Sequence, residues 1–323
     1  MMLPLADVVI APEDDGTIAR PVPWGGLVAR LRASELIRRV VPLPVALAAA
    51  DLAQRIAVAR NPERLAAGRA VMDAVLGGTD RAAEADALAF GHLRARSRGW
   101  EFAWRPWLLT KIPVEGLERL DGIEPGRGII FSKTHCGPSG GMGNLPRAVG
   151  PIYQAVGDYL FAPAPPGYNG YQNEQSRKLL SAAGFRMIRA NGSRATFAAA
   201  LRAGGRVLVN LDVPGTAAVR FLGKTVEIKS GTARLALDTD AVVVPVAVLP
   251  RGRGWTIHVD EPIDPRDHPT WETLLQAVAD AHEPLVLRAP EQLESPLRAG
   301  GWAVATPSGW FAAVPPDGGM GAA

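Results

Sequence analysis

The sequence predicts an α/β protein, a mixed sheet flanked by helices with a helical N-terminal part packed on it. Three observations carry this expectation. Apolar residues recur with helical spacing through the stretch from Leu27 to Leu120. Beyond residue 121, short β-branched runs such as GIIF, RVLVNL and AVVVPVAVL alternate with helical patterns. Several of these runs stop at glycine, proline or aspartate, as strands do where they feed a loop. The chain therefore divides into a helical part (1–120), an α/β core (121–295) and a Gly/Ala/Pro-rich tail (296–323).

Residues 1 to about 24 are expected to be irregular, because Pro4, Pro12, Pro21 and Pro23 interrupt any long element. Leu27, Leu31, Ile37, Val40 and Val41 then give a partial apolar face beside Arg30, Arg32, Arg38 and Arg39. Such a face either packs on the domain or touches anionic lipid. Pro62 opens a helix over Glu63–Leu76, Gly77 and Gly78 end it, and Thr79 or Asp80 caps a further helix running towards Arg98. Gly99–Trp107, GWEFAWRPW, holds three of the eight tryptophans and reads as a lid, an acyl-contacting wall or a core cluster.

In the core, Ile129–Phe131, Pro151–Val156 and Phe185–Ile188 read as strands, with a helix over Gln172–Ala183. Ser193 caps a helix through Leu201, and Arg206–Leu211 is a strand ending at Asp212, broken by Pro214 and Gly215. Val219–Ile228 reads as a hairpin, Gly231–Leu237 as a helix, and Ala241–Leu249 as the most β-branched strand. Thr256–Val259 pairs with it, and Trp271–His282 is the last helix. The tail from Gly300 reads as poorly ordered or draped, with Trp302, Trp310 and Phe311 as anchors.

With 323 residues, 47% of them apolar, the chain can bury a large core. Thirty-five basic against 32 acidic residues leave a formal charge of +3, and no basic block or interleaved aromatic pattern marks a nucleic-acid groove. The lone Cys136 excludes an internal disulfide. The other histidines, His92, His258, His268 and His282, are too dispersed for a metal set, so neither a metal nor a bound cofactor is expected. The N-terminus lacks a secretory-signal pattern, and the longest apolar run, Val40–Leu52, is too short and interrupted to span a bilayer. A cytoplasmic protein, or one lying on the inner face of the cell membrane, is expected.

His135 stands where a buried strand breaks into a glycine-rich turn, GRGIIFSKTHCGPSGGMG. Asp212 stands at the end of RVLVNL. In a largely parallel sheet, the carboxyl ends of strands converge on one crevice. An imidazole there is suited to taking a proton near neutral pH, although a loop histidine with no chemical part is the plain alternative. Arg177 lies on the helix between these strands, and Lys229, Ser230, Gly231 and Thr232 open a later helix whose N–H groups suit a phosphate or oxyanion. Cys136 beside His135 could be a nucleophile, or a small buried hydrophobe. Ser139 is in ordinary turn company.

In this order the segments GLERLDGIEPGRGIIFSKTH, TFAAALRAGGRVLVNLDVPG, VRFLGKTVEIKSGTARLA and DAVVVPVAVLPRGRGWTIHV, with the Arg60-Asn61-Pro62 helix and the Arg177 region, resemble a known family. The chain resembles the LpxL/HtrB-like lipid A late acyltransferases, a branch of the lysophospholipid acyltransferase superfamily, over roughly Ala59 to Asp264. The resemblance implies the glycerol-3-phosphate/lysophospholipid acyltransferase-like fold. It implies transfer of an acyl group from acyl carrier protein or coenzyme A to a hydroxyl or amine, on a small-molecule or lipid acceptor. It makes His135 the general base, Arg177 a charge near the reacting groups and Asp212 the strand-end aspartate. Lys229 to Thr232 become the block holding phosphate or pantetheine.

One departure stands out. The family pattern is His, four residues, then Asp or Glu, and here that place is Gly140. Three explanations stay open: another acid, from Asp212, Asp158 or Glu174, replaces it; the acceptor is an easier nucleophile, such as an amine or hydroxylamine, that needs little base help; or the site only binds.

Overall fold

The computed structural model describes residues 34–103, 105–138, 140–156, 183–189, 192–252 and 254–293, isolated positions between 161 and 181, and four residue pairs after 296. The calls on residues 1–33, Ser139 and Asp158 lie outside the described residues. Helices α1 (Glu35–Val40), α2 (Leu43–Arg60), α3 (Glu63–Leu76), α4 (Ala85–Ala103) and α5 (Pro106–Leu109) form the N-terminal part. No helix among the described residues is long and apolar enough to cross a membrane.

The core follows as β1 (Val114–Glu115), β2 (Ile129–Lys133), α6 (Leu145–Val149), β3 (Ile152–Val156) and β4 (Phe185–Arg189). Then come α7 (Ser193–Arg202), β5 (Arg206–Asn210), β6 (Pro214–Phe221), β7 (Lys224–Ile228), α8 (Gly231–Thr239), β8 (Val242–Arg251), β9 (Gly254–Val259) and α9 (Trp271–Leu287). Seven strands make one mixed sheet in the order β1-β9-β8-β2-β5-β3-β4, and β6 with β7 forms a separate hairpin. Every pairing in the large sheet is parallel except β8 with β9.

Alternation along the strands explains the two layers. Ile130, Val207 and Val243 face one apolar cluster with α3, α7, α8, α9 and the hairpin. Ile129, Phe131, Leu208 and Val244 face the other, with Leu47, Phe102, Leu109 and Leu145. A sheet covered on both sides needs strands that are apolar at successive positions, which is why these runs lack a polar alternation.

Four expectations need correction. The reading of Leu27–Leu120 as helix fails near its end: Val114 and Glu115 join the sheet edge beside β9, followed by a 3-10 turn over Leu117–Leu120. Pro214 is the first residue of β6 rather than a break, where its missing N–H costs little, and a bulge follows before Ala217. Gly215 is needed there because a Cβ would lie 2.4 Å from the Ile228 carbonyl. The last helix runs past His282 and through Pro284 to Leu287, with Leu285 and Val286 buried. The tail forms two short antiparallel pairings, Leu297–Arg298 with Gly301–Trp302 and Val304–Ala305 with Phe311–Ala312. The burial of its aromatics lies outside the described residues.

The GWEFAWRPW segment closes α4 and begins α5. Phe102 is buried edge-on against Trp255, with ring centroids 4.1 Å apart. Arg39 lies over the Trp107 ring at 5.6 Å. The side chains of Trp100 and Trp104 lie outside the described residues.

Candidate active site

β2 and β5 lie side by side, with Lys133 opposite Asn210 in register. Each chain leaves the sheet at the same edge, so His135 and Asp212 emerge together. The Leu211 N–H donates to the Lys133 carbonyl at 2.7 Å and ties the two exits.

Asp212 contacts His135 twice. Its Oδ1 is 2.8 Å from the ring Nδ1, and its Oδ2 accepts the backbone N–H of His135, also at 2.8 Å. The aspartate side chain is fully buried, whereas the His135 side chain is 35% exposed. Burial works to raise the Asp212 carboxyl, yet the facing His135 ring, both hydrogen bonds and Lys133 hold it below its ordinary value. An ionised acceptor at Nδ1 requires the proton there, so the neutral ring keeps its lone pair on Nε2. Nε2 is 3.2 Å from the Asn210 Nδ2.

The turn after His135 is shaped by glycine. Gly137 has φ +79°, and a Cβ there would sit 2.9 Å from that of Val248. Gly140, at the place of the expected motif acid, has φ +75°, a conformation that an L-aspartate adopts only with strain. The carboxylate that meets the ring is that of Asp212, at the neighbouring strand exit. Of the other candidate acids, Glu174 is paired with Lys178, which lowers its pKa.

Cys136 turns away from this chemistry. It is buried, pairs with Leu293 in an isolated antiparallel bridge, and burial pushes its thiol up to about 12. A thiol in that state is a packing group. Arg177 is exposed on its helix; the hydrogen bonds of His135 and Asp212 come from each other and Asn210, not from it.

The Lys229–Thr232 block reaches the same edge by a different route. The Lys229 N–H donates to the carbonyl of Val213, the residue after Asp212, at 2.9 Å. That bond places the start of α8 beside the Asp212 turn while using up the Lys229 amide. Ser230 Oγ takes the Arg234 Nε at 3.0 Å and Thr232 is buried, so these two side chains serve the local packing. What the block can offer a ligand is the Lys229 ammonium and the N–H groups of the first helical turn.

Two residues escaped sequence reasoning. Asn210 lies within RVLVNL, where one polar residue two positions before Asp212 was the available signal. His282, fully buried on α9, has its Nε2 3.1 Å from Ser132 Oγ on β2.

No protein-family model and no curated protein matches the chain. Among solved structures it is similar to the 1-acyl-sn-glycerophosphate (LPA) acyltransferase PlsC from Thermotoga maritima, at 17% identity, over 73% of this chain and 98% of that chain, with a TM-score of 0.37.

Proposed function

We propose that the protein is an acyltransferase of the lysophospholipid acyltransferase superfamily, with His135 as general base and Asp212 as its orienting acid. The observation that carries this reading is the pair of 2.8 Å contacts from a buried carboxylate to a part-exposed imidazole at the carboxyl edge of the sheet. The ordered resemblance to the LpxL/HtrB-like sequences supplies the reaction class. An acid at Nδ1 stabilises the ring once it is charged, which supports turnover over a binding module.

In the proposed step Nε2 takes the proton of an acceptor hydroxyl or amine as that atom attacks the carbonyl of an acyl thioester. The new acyl–oxygen or acyl–nitrogen bond forms and a tetrahedral oxyanion develops. The carbon–sulfur bond then breaks, and the imidazolium returns its proton to the leaving thiolate. Asp212 stabilises the charged ring between the two events. The start of α8, with Lys229, is assigned to the donor's phosphate or the oxyanion, and Arg177 to an outer phosphate contact.

The donor is proposed to be acyl carrier protein or coenzyme A, with an amine or hydroxyl of a specialised metabolite as acceptor. One observation favours a membrane-lipid acceptor as a second reading. Leu36, Val40, Val45, Leu52 and Ile56 are large exposed apolar side chains on α1 and α2, beside exposed Arg39, Arg55 and Arg60. Apolar insertion with arginine at the headgroups is the pattern of a surface-lying helix.

The test supplies acyl-carrier and acyl-coenzyme A donors with amine, hydroxyl and lysophospholipid-vesicle acceptors, following thiol release and product mass. Acyl transfer by the native chain, lost in His135→Ala with an unchanged circular dichroism spectrum, is the expected result. Full activity in that variant, or no transfer from any donor, overturns the reading.

A further inference from the structure

Both nitrogens of the His135 ring are occupied. Asp212 holds Nδ1, and the Asn210 amide meets Nε2 at 3.2 Å. Asn210 ends β5, opposite Lys133, so it is placed by the sheet rather than by a loop. Its other end, Oδ1, is buried with no hydrogen-bond partner. A buried amide oxygen left unpaired is costly, and one that persists beside a reacting atom calls for an explanation.

The chemistry of the ring supplies one. With Nδ1–H donating to Asp212, the neutral imidazole presents a lone pair at Nε2, which the Asn210 NH2 can satisfy. Once Nε2 has taken a proton it becomes a donor, and the NH2 opposes it. Turning the amide over brings Oδ1 to Nε2 as an acceptor. Asparagine carries a donor and an acceptor on one short pivot, so it can serve both ring states.

We propose that Asn210 is a positioning residue for His135, its amide donating to Nε2 while the ring is neutral and its Oδ1 accepting from Nε2–H after proton abstraction. The proposal deepens the acyl-transfer reading and depends on it for the reaction, while the contact itself stands on geometry. The acceptor substrate displaces the NH2 from Nε2, and the freed amide turns to meet the proton it delivers. No bond is made or broken by Asn210.

Among the described residues, Asp212 at the β5 exit holds the ring, and Lys133 on β2 acts on that Asp212. Glu291, in the 3-10 turn after α9, acts on the adjacent Cys136, and His282 on α9 faces Asp212. All remain in place when residue 210 alone is changed.

The experiment combines nitrogen-15 NMR of labelled histidine with pH–rate profiles for the native chain, Asn210→Asp and Asn210→Leu. A carboxylate at 210 can only accept, so Asn210→Asp holds the proton on Nε2. The acid limb of activity and the ring titration both move up, by roughly 1–3 pH units. Asn210→Leu offers neither role, and kcat falls about tenfold or more with KM little changed. An unmoved ring titration in Asn210→Asp, or native kcat in Asn210→Leu, overturns the proposal. If the native chain transfers no acyl group, the acyl-transfer reading falls by itself, and the ring titration still decides whether Asn210 governs Nε2.

Discussion

Asp212 accepts from His135 at two atoms, the ring Nδ1–H and the backbone N–H, across the gap between adjacent strand exits. Because both donors belong to one residue, the carboxylate fixes where the loop lies as well as which nitrogen holds the proton. The two effects cannot be separated by moving the acid elsewhere in the loop, and an acid at Gly140, at positive φ, would sit there only with strain.

Asp212→Asn tests this directly. An amide has one acceptor oxygen, so satisfying the backbone N–H turns its NH2 towards Nδ1 and forces the proton onto Nε2. The ring is then in the wrong tautomer to act as base. Replacing the orienting aspartate of a triad costs about 10⁴ in turnover, and a loss of that order is expected here. A kcat within threefold of native, measured by thiol release at neutral pH, would contradict the role assigned to Asp212 (about 0.7 kcal/mol separates such rates).

The fold was legible wherever burial is two-sided. Ile129–Phe131 and the run Ala241–Leu249 read as strands of a covered sheet, and the glycines after the first showed where the chain leaves it. His135 and Asp212 could be placed at one edge by the same logic. That their atoms meet depends on β2 lying directly beside β5, a long-range pairing that no local pattern encodes. Val114 and Glu115 were invisible as a strand because two residues carry no period, and they are recruited by the backbone of β9. Thr232 looked like a ligand residue by its position, but the first turn of α8 turns it into the core.

Gly137→Ala should damage the site without touching its chemistry. The residue is at φ +79°, and its new Cβ would meet Val248 on β8, whose backbone is fixed in the sheet. Strained φ alone costs about 1–3 kcal/mol. We expect a lower melting temperature together with a drop in kcat, because relieving the clash moves the loop that carries His135. Unchanged stability would mean that the loop accommodates the methyl group freely.

Cys136→Ala should do the reverse. With its thiol pushed up to about 12 by burial, and Leu293 bridged to its backbone, Cys136 contributes packing. Losing one small buried group costs about 1 kcal/mol, while turnover stays near native. The native thiol should also react with iodoacetamide far more slowly than after denaturation. Loss of transfer in a folded Cys136→Ala protein would instead point to an acyl-cysteine intermediate.

His282 gives the chain a pH dependence that can be worked out in sign. Burial pushes its imidazole down to about 4, so the folded protein keeps it neutral. The unfolded chain protonates it near its ordinary 6.5. Between these values the unfolded state binds more protons, so stability falls as pH is lowered from 6.5 towards 4 and is fully retained above 6.5. One proton corresponds to a slope of about 1.4 kcal/mol per pH unit. Urea denaturation at stepped pH should show at least that slope between pH 5 and 6, where most carboxylates have yet to titrate and where His258, also lowered by burial, adds in the same direction. His282→Gln cannot titrate but can still meet Ser132 Oγ, and its curve should be flatter by that amount. Parallel curves for the two proteins would show that His282 takes up its proton without unfolding, and that its burial imposes no such cost.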